Sequence, residues 1–142
     1  MDELQRAKDC AQKMYASDRA SKKLGIEIEI PAVGAAVASM LVSEDMVNGF
    51  DICHGGLIFT IADTAFAFAC NAYDDLTVAG SGNIEFLRPS ARGDRLQATA
   101  SEVHRSRKGG VYKVEVRNQD DKLVALFQGR SVSRGVAILD ED

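Results

Sequence analysis

Residues 55–72, GGLIFTIADTAFAFACNA, constrain the fold more than any other stretch of the chain. Leu57, Ile58, Phe59, Ile61, Ala62, Ala65, Phe66, Ala67, Phe68 and Ala69 point in every direction of a helical wheel. A helix that is apolar all round is expected to be buried on all sides. A bilayer span needs about 20 apolar residues, and this run is shorter and broken by polar groups. It reads as a core helix, and the remainder of the chain must wrap it.

The flanking segments supply the wrapping. Residues 2–16 place Leu4, Ala7, Ala11, Met14 and Tyr15 at helical spacing. A short second turn is expected from Ser17 or Asp18 to Gly25. Ile26, Ile28 and Ile30 alternate with Glu27 and Glu29, the period of a half-buried strand, and a second strand is expected over Ala35–Val42. Four more follow the helix, over 78–87, 96–103, 111–116 and 123–132. They are separated by turn segments such as Lys108-Gly109-Gly110 and Asn118-Gln119-Asp120-Asp121. The economical architecture is an α+β domain, an antiparallel sheet curled round one long buried helix. The 142 residues suit one domain, with a helical segment over 1–24 and a tail over 136–142 expected to fray.

Charge narrows the partners. The net charge of −4 disfavours a general nucleic-acid binder. Between Lys23 and Arg88 there is no Lys or Arg, whereas Arg88 to Arg134 holds eleven basic and five acidic residues. That segment is either a set of solvated strand faces or a docking surface for a small polyanion. Cys10, Cys53 and Cys70 lack paired spacing and read as reduced thiols. The charged N-terminus lacks the apolar core of a signal peptide. A cytoplasmic location and no membrane partner are expected.

Asp63 is the residue to explain. It sits mid-helix among Phe59, Thr60, Phe66 and Ala67, with no local Lys or Arg to pair with. Burying an unpaired carboxylate costs several kcal/mol. It therefore either faces a cleft and does chemistry, or is tied to backbone or Thr64. Apolar surroundings would raise its pKa toward that of a general base or nucleophile. At the head of the helix, His54-Gly55-Gly56 presents first-turn N–H groups without Cβ obstruction, a carbonyl-polarising site. Gly55 and Asp63 are eight residues apart, about 12 Å along the axis. One helix cannot comfortably serve one reaction centre with both groups, but two antiparallel copies can. The geometry predicts an obligate homodimer with two equivalent sites across the interface.

The run Asn48-Gly49, Cys53-His54-Gly55-Gly56, Ala62-Asp63-Thr64-Ala65, Ala69-Cys70-Asn71, Phe86-Leu87-Arg88-Pro89 and Gly93-Asp94 resembles the hotdog-fold acyl-CoA thioesterases. Within them it is most similar to the phenylacetic-acid-degradation type. The resemblance spans nearly the whole chain. It implies a sheet wrapped round one helix, dimers that pair into tetramers, and coenzyme A thioester substrates, hydroxylated phenylacetyl-CoA being typical. It also implies that Asp63 activates water or attacks the thioester. Gly55 or Gly56 would polarise the carbonyl from the partner subunit, with Asn48 beside that site and His54 in an orienting role. Some relatives hold the attacking water with a Ser or Thr on the following strand; that position falls near Ala79, with Ser81 two residues on, and stays unassigned.

No metal is implied, because His54 and His104 lack ligand spacing. No cofactor is implied either, since coenzyme A enters as part of the substrate. Its phosphates would suit Arg88, Arg105, Arg107, Lys108 and Arg130, Arg88 being favoured. Phe59, Phe66, Phe68 and Tyr73 either line an aromatic acyl pocket or are plain core. Two rivals share the fold. A hydratase or dehydratase would need His54 and Asp63 to converge on one carbon; a non-catalytic acyl-CoA-binding or sensing module would bind without turnover.

Overall fold

The computed structural model describes residues 2–139. Helix α1 (Glu3–Ala16) starts at Asp2, whose carboxylate accepts the Gln5 N–H at 2.7 Å. Helix α2 (Arg19–Lys23) is capped in the same way by Asp18. The chain leaves it through Gly25 in the left-handed region, with φ 71°. Strands β1 (Glu27–Glu29) and β2 (Ala35–Leu41) follow, then the long helix α3 (Gly55–Cys70). Strands β3 (Thr77–Phe86), β4 (Arg95–Ser106), β5 (Gly109–Arg117) and β6 (Leu123–Ser133) complete the order.

All six strands form one antiparallel sheet in the order β1-β2-β4-β5-β6-β3. It curls round α3 because alternate inward positions are small where the helix comes closest. Ala36, Ala38, Ala98 and Ala100 on the sheet and Ala62, Ala65 and Ala69 on the helix are all buried. Larger rings fill the wider end: Phe66 meets Tyr112 and Phe127 at centroid separations of 5.6 and 5.7 Å. Gly129 leaves room for this cluster, since a Cβ there would stand 2.8 Å from the Phe66 ring. On β5, Tyr112, Val114 and Val116 face the core while Lys113 is exposed, as the alternation predicts.

Two expectations change, for α3 and for the tail. Helix α3 is not enclosed on every side within one chain: Gly56 is exposed and Thr60, Asp63 and Ala67 are half-buried. These four lie on one stripe of the helix at spacings of three and four residues. The polar stretch after β2 contains a 3-10 turn, Glu44–Met46, and a bridge between Val47 and Cys53. The tail is held over 136–139, because Leu76 N–H donates to Val136 O (2.7 Å) and Asp74 accepts from Ile138 and Leu139. The acidic end, Asp140-Glu141-Asp142, lies outside the described residues.

The two edges of the sheet differ. At one, β1 is only three residues long. At the other, β3 bonds to β6 alone among the described strands, is ten residues long, and is exposed over most of its length. Monomeric proteins usually shorten, charge or cover such an edge. Here it carries Val78, Ile84 and Phe86 with one charge, Glu85.

Candidate active site

Asp63 borders a cavity of about 400 Å³ formed with Met14, Phe66, Ala67, Cys70, Asn71, Leu76, Thr77, Val78, Ala79 and Ile138. Burial alone pushes its pKa above the ordinary aspartate value. Among the described residues nothing donates a hydrogen bond to it. Thr64, the partner a structural reading would need, turns its hydroxyl back to Thr60 O at 2.7 Å. A carboxylate that is half-buried, unpaired and open to a cavity keeps both oxygens for a water or substrate. Cys70 shares the cavity, but burial chiefly, with a smaller effect of the Asp63 charge, pushes its thiol up to about 12. It stays protonated and is no nucleophile.

The N-terminal end of α3 forms a separate cavity of about 320 Å³, lined by Ile52, Cys53, Gly55, Ile58, Phe86, Leu87, Arg88 and Pro89. His54 is the N-cap, and its Nδ1 accepts the Gly56 N–H at 2.9 Å. Leu57 and Ile58 N–H groups reach His54 O at 2.9 and 3.3 Å. Of the two glycines, Gly55 is thus the one whose N–H finds no protein acceptor among the described residues. A Cβ on Gly55 would stand 3.3 Å from the Phe86 ring, so the position is closely walled on that side.

Asn48 sits in the loop before α3. Its Oδ1 accepts the Phe50 N–H at 2.9 Å, and its own N–H reaches Ile52 O at 2.8 Å. This Asx turn holds the carboxamide so that its amide nitrogen remains available to donate. Asn48 borders neither cavity of the single chain, and the cavities of Gly55 and Asp63 have no residue in common. Both cavities lie along β3, with Val78 and Ala79 at one end and Phe86 at the other.

The basic residues are dispersed. Arg88 stands with Gly55. Lys108 and Arg130 share a smaller cavity of about 190 Å³ with His104. Arg105 stacks its guanidinium on the Tyr73 ring at 3.6 Å, and Arg107 lies in the exposed turn between β4 and β5. The aromatic candidates are mainly core. Phe59 packs edge-on against Phe127, Phe68 lies against Tyr15, and Tyr73 donates to Glu102. Of the four, only Phe66 reaches the Asp63 cavity. Ala79 lines the cavity without a hydroxyl, Ser81 is not part of the lining, and Thr77, which is, donates its hydroxyl to Asp75 O. Met14 and Ile138 were not legible as site residues, because they come from segments distant in sequence.

The sequence matches the model of the Thioesterase superfamily over residues 50–125, which contains all of α3. It is 47% identical to the acyl-coenzyme A thioesterase PaaI of Escherichia coli K12, over 92% of this chain and 94% of that protein. The structure of the E. coli PaaI protein from the phenylacetic acid degradation operon superposes with a TM-score of 0.94, at 44% identity. That superposition covers 96% of this chain and 99% of that one. A mutant of the phenylacetic acid degradation protein PaaI from Thermus thermophilus gives 0.77 at 38% identity, covering 82% and 99%. The sheet wrapped round α3 is the hotdog fold. On the match over more than half its length and the identity across nearly all of it, the chain belongs to the thioesterase superfamily.

Proposed function

We propose that the protein hydrolyses acyl-CoA thioesters to a free acid and coenzyme A, in sites assembled between two copies of the chain. The observation that carries this reading is the separation of the half-sites. An unpaired carboxylate and a free helix N–H, the two groups a thioester hydrolase needs, border different cavities near opposite ends of β3. A two-fold axis across β3 near Gly82 would exchange those ends. Val78 of one copy would then lie by Phe86 of the other, and each Asp63 cavity would meet a Gly55 cavity. The bare edge of β3 would pair with its counterpart, and the open stripe of α3 would be covered by the second α3. These are features of an isologous dimer.

In this arrangement Asp63 accepts a proton from water as its oxygen attacks the thioester carbonyl carbon. The carbonyl oxygen takes up the negative charge, and the Gly55 N–H of the second copy stabilises it at the positive end of α3. Collapse of the tetrahedral species breaks the C–S bond, and the departing thiolate receives the proton that Asp63 holds. General-base assistance of this kind contributes about 10²–10⁴-fold. Arg88, beside Gly55, and the pair Lys108 and Arg130 offer docking points for the coenzyme A phosphates.

The relatives' names point to phenylacetic acid degradation; an aryl-acetyl substrate such as a hydroxylated phenylacetyl-CoA, a cytoplasmic location and a dimer of dimers complete the reading we propose. Release of free thiol from a panel of aryl and alkyl CoA esters tests the activity, and light scattering tests the assembly. Wild-type protein that binds CoA esters without releasing thiol would be a sensing module instead. An active species with the mass of one 15.3 kDa chain would remove the shared site.

A further inference from the structure

The Asp63 cavity has an inner and an outer wall of different origin. The inner wall is α3 and β3, within the span matched to the family. The outer wall includes Met14 from α1 and Ile138 from the segment after β6, both outside that span. Ile138 is held in place by polar contacts that the chemistry above does not use. Asp74, itself in the left-handed region with φ 57°, accepts the Ile138 and Leu139 N–H groups on one carboxylate oxygen, both at 2.8 Å. Asp75 takes the Ser133 hydroxyl at 2.6 Å, and Leu76 exchanges backbone bonds with Arg134 and Val136 at 2.8 and 2.7 Å. The loop between α3 and β3 thus grips residues 133–139 along their length.

The lining also says what can enter. Asn71 spends its amide nitrogen on Ala67 O and Thr77 O and its oxygen on the Thr77 N–H, and Thr77 donates its hydroxyl to Asp75 O. Among the described residues no Lys, Arg or His borders the cavity. An acyl tail carrying a carboxylate would meet the Asp63 charge with no cation in this wall to offset it, since Arg88 stands at the Gly55 end of the joined site. A volume of about 400 Å³ lies within the range of small-molecule pockets.

We propose that the clamped segment 134–139 is the acyl gauge of the enzyme: Ile138, held by Asp74, sets the length of uncharged, apolar acyl group that fits beside Asp63. This rests on the thioesterase reading and goes beyond it by assigning specificity to two residues outside the reacting groups. Ile138 acts by filling space, and Asp74 is a positioning residue acting through it.

The test is kcat/KM of the full chain across a homologous series of straight-chain acyl-CoA esters, with a dicarboxylic acyl-CoA included. Ile138→Ala should favour longer chains and Ile138→Phe shorter ones. Each should change the ratio between neighbouring substrates about 10-fold or more, the usual effect of a methylene in an apolar pocket. Asp74→Ala should flatten the profile, and Asp74→Asn, which keeps an accepting oxygen, should restore it. A purely structural role would lower all rates together and leave the ratios alone. Unaltered ratios in active Ile138 variants, or ready hydrolysis of the dicarboxylic ester, would overturn the gauge and spare the thioesterase reading. No thiol release by the wild-type chain from any ester would overturn both.

Discussion

Asp63 has two measurable consequences. Asp63→Asn should lower kcat on aryl-acetyl-CoA esters by about 10²–10⁴-fold, and retention of most activity would remove the carboxylate from the mechanism. The same substitution should stabilise the fold. Burial raises the pKa of Asp63 in the folded chain, so the folded state holds this proton more tightly than the unfolded state. Stability is lost as pH rises from the unfolded value to the raised folded one. Asparagine has no such loss. Its Tm advantage should be full above the raised folded value and vanish when the solution is acidified below the ordinary aspartate range. By the same shift, the wild-type rate should fall on acidification at a pH above that range. His54 gives a contrasting case, because its imidazole caps α3. His54→Ala should cost about 1 kcal/mol in denaturant unfolding, and His54→Asn should recover most of it.

At the scale of elements, the fold was largely legible and the site was half legible. The alternation of Tyr112, Val114 and Val116 gave β5, and the apolar run after Gly56 gave α3, because helix and strand periods are local properties. The partial exposure of Gly56, Thr60, Asp63 and Ala67 was not visible; hydropathy does not reveal which face one chain leaves for another. Asp63 stood out as a carboxylate in an apolar helix with no local cation, and Gly55 as part of a pair without Cβ atoms at the head of that helix. Nothing local separated Gly55 from Gly56, since the distinction depends on where the His54 side chain turns. Nothing in the sequence marks Asp74 and Asp75, because their partners lie some 60 positions away. Packing between α3 and the sheet supplies a further test. Gly129→Ala would press a methyl against Phe66, which is 1% exposed and has no room to yield. A loss of about 1–3 kcal/mol is expected, read as a lowered urea midpoint.

At the scale of the whole molecule, the shared site makes a prediction that no single-chain mechanism makes. Gly55→Pro removes the N–H proposed to polarise the carbonyl while suiting the first helical position, and Asp63→Asn removes the base. Each variant alone should be nearly inactive. Co-refolded in equal amounts they should recover about a quarter of wild-type activity, because half the dimers are mixed and each has one complete site. No recovery would place both groups in the same chain. The grip of Asp74 and Asp75 on residues 133–139 has a different bearing. Because those residues emerge from the ribosome after every earlier strand of the sheet, the acidic loop has nothing to hold until β6 has been made. A chain that stopped after Ser133 would carry Asp63 and the glycines but lack Ile138, and with it the outer wall proposed to gauge the acyl group.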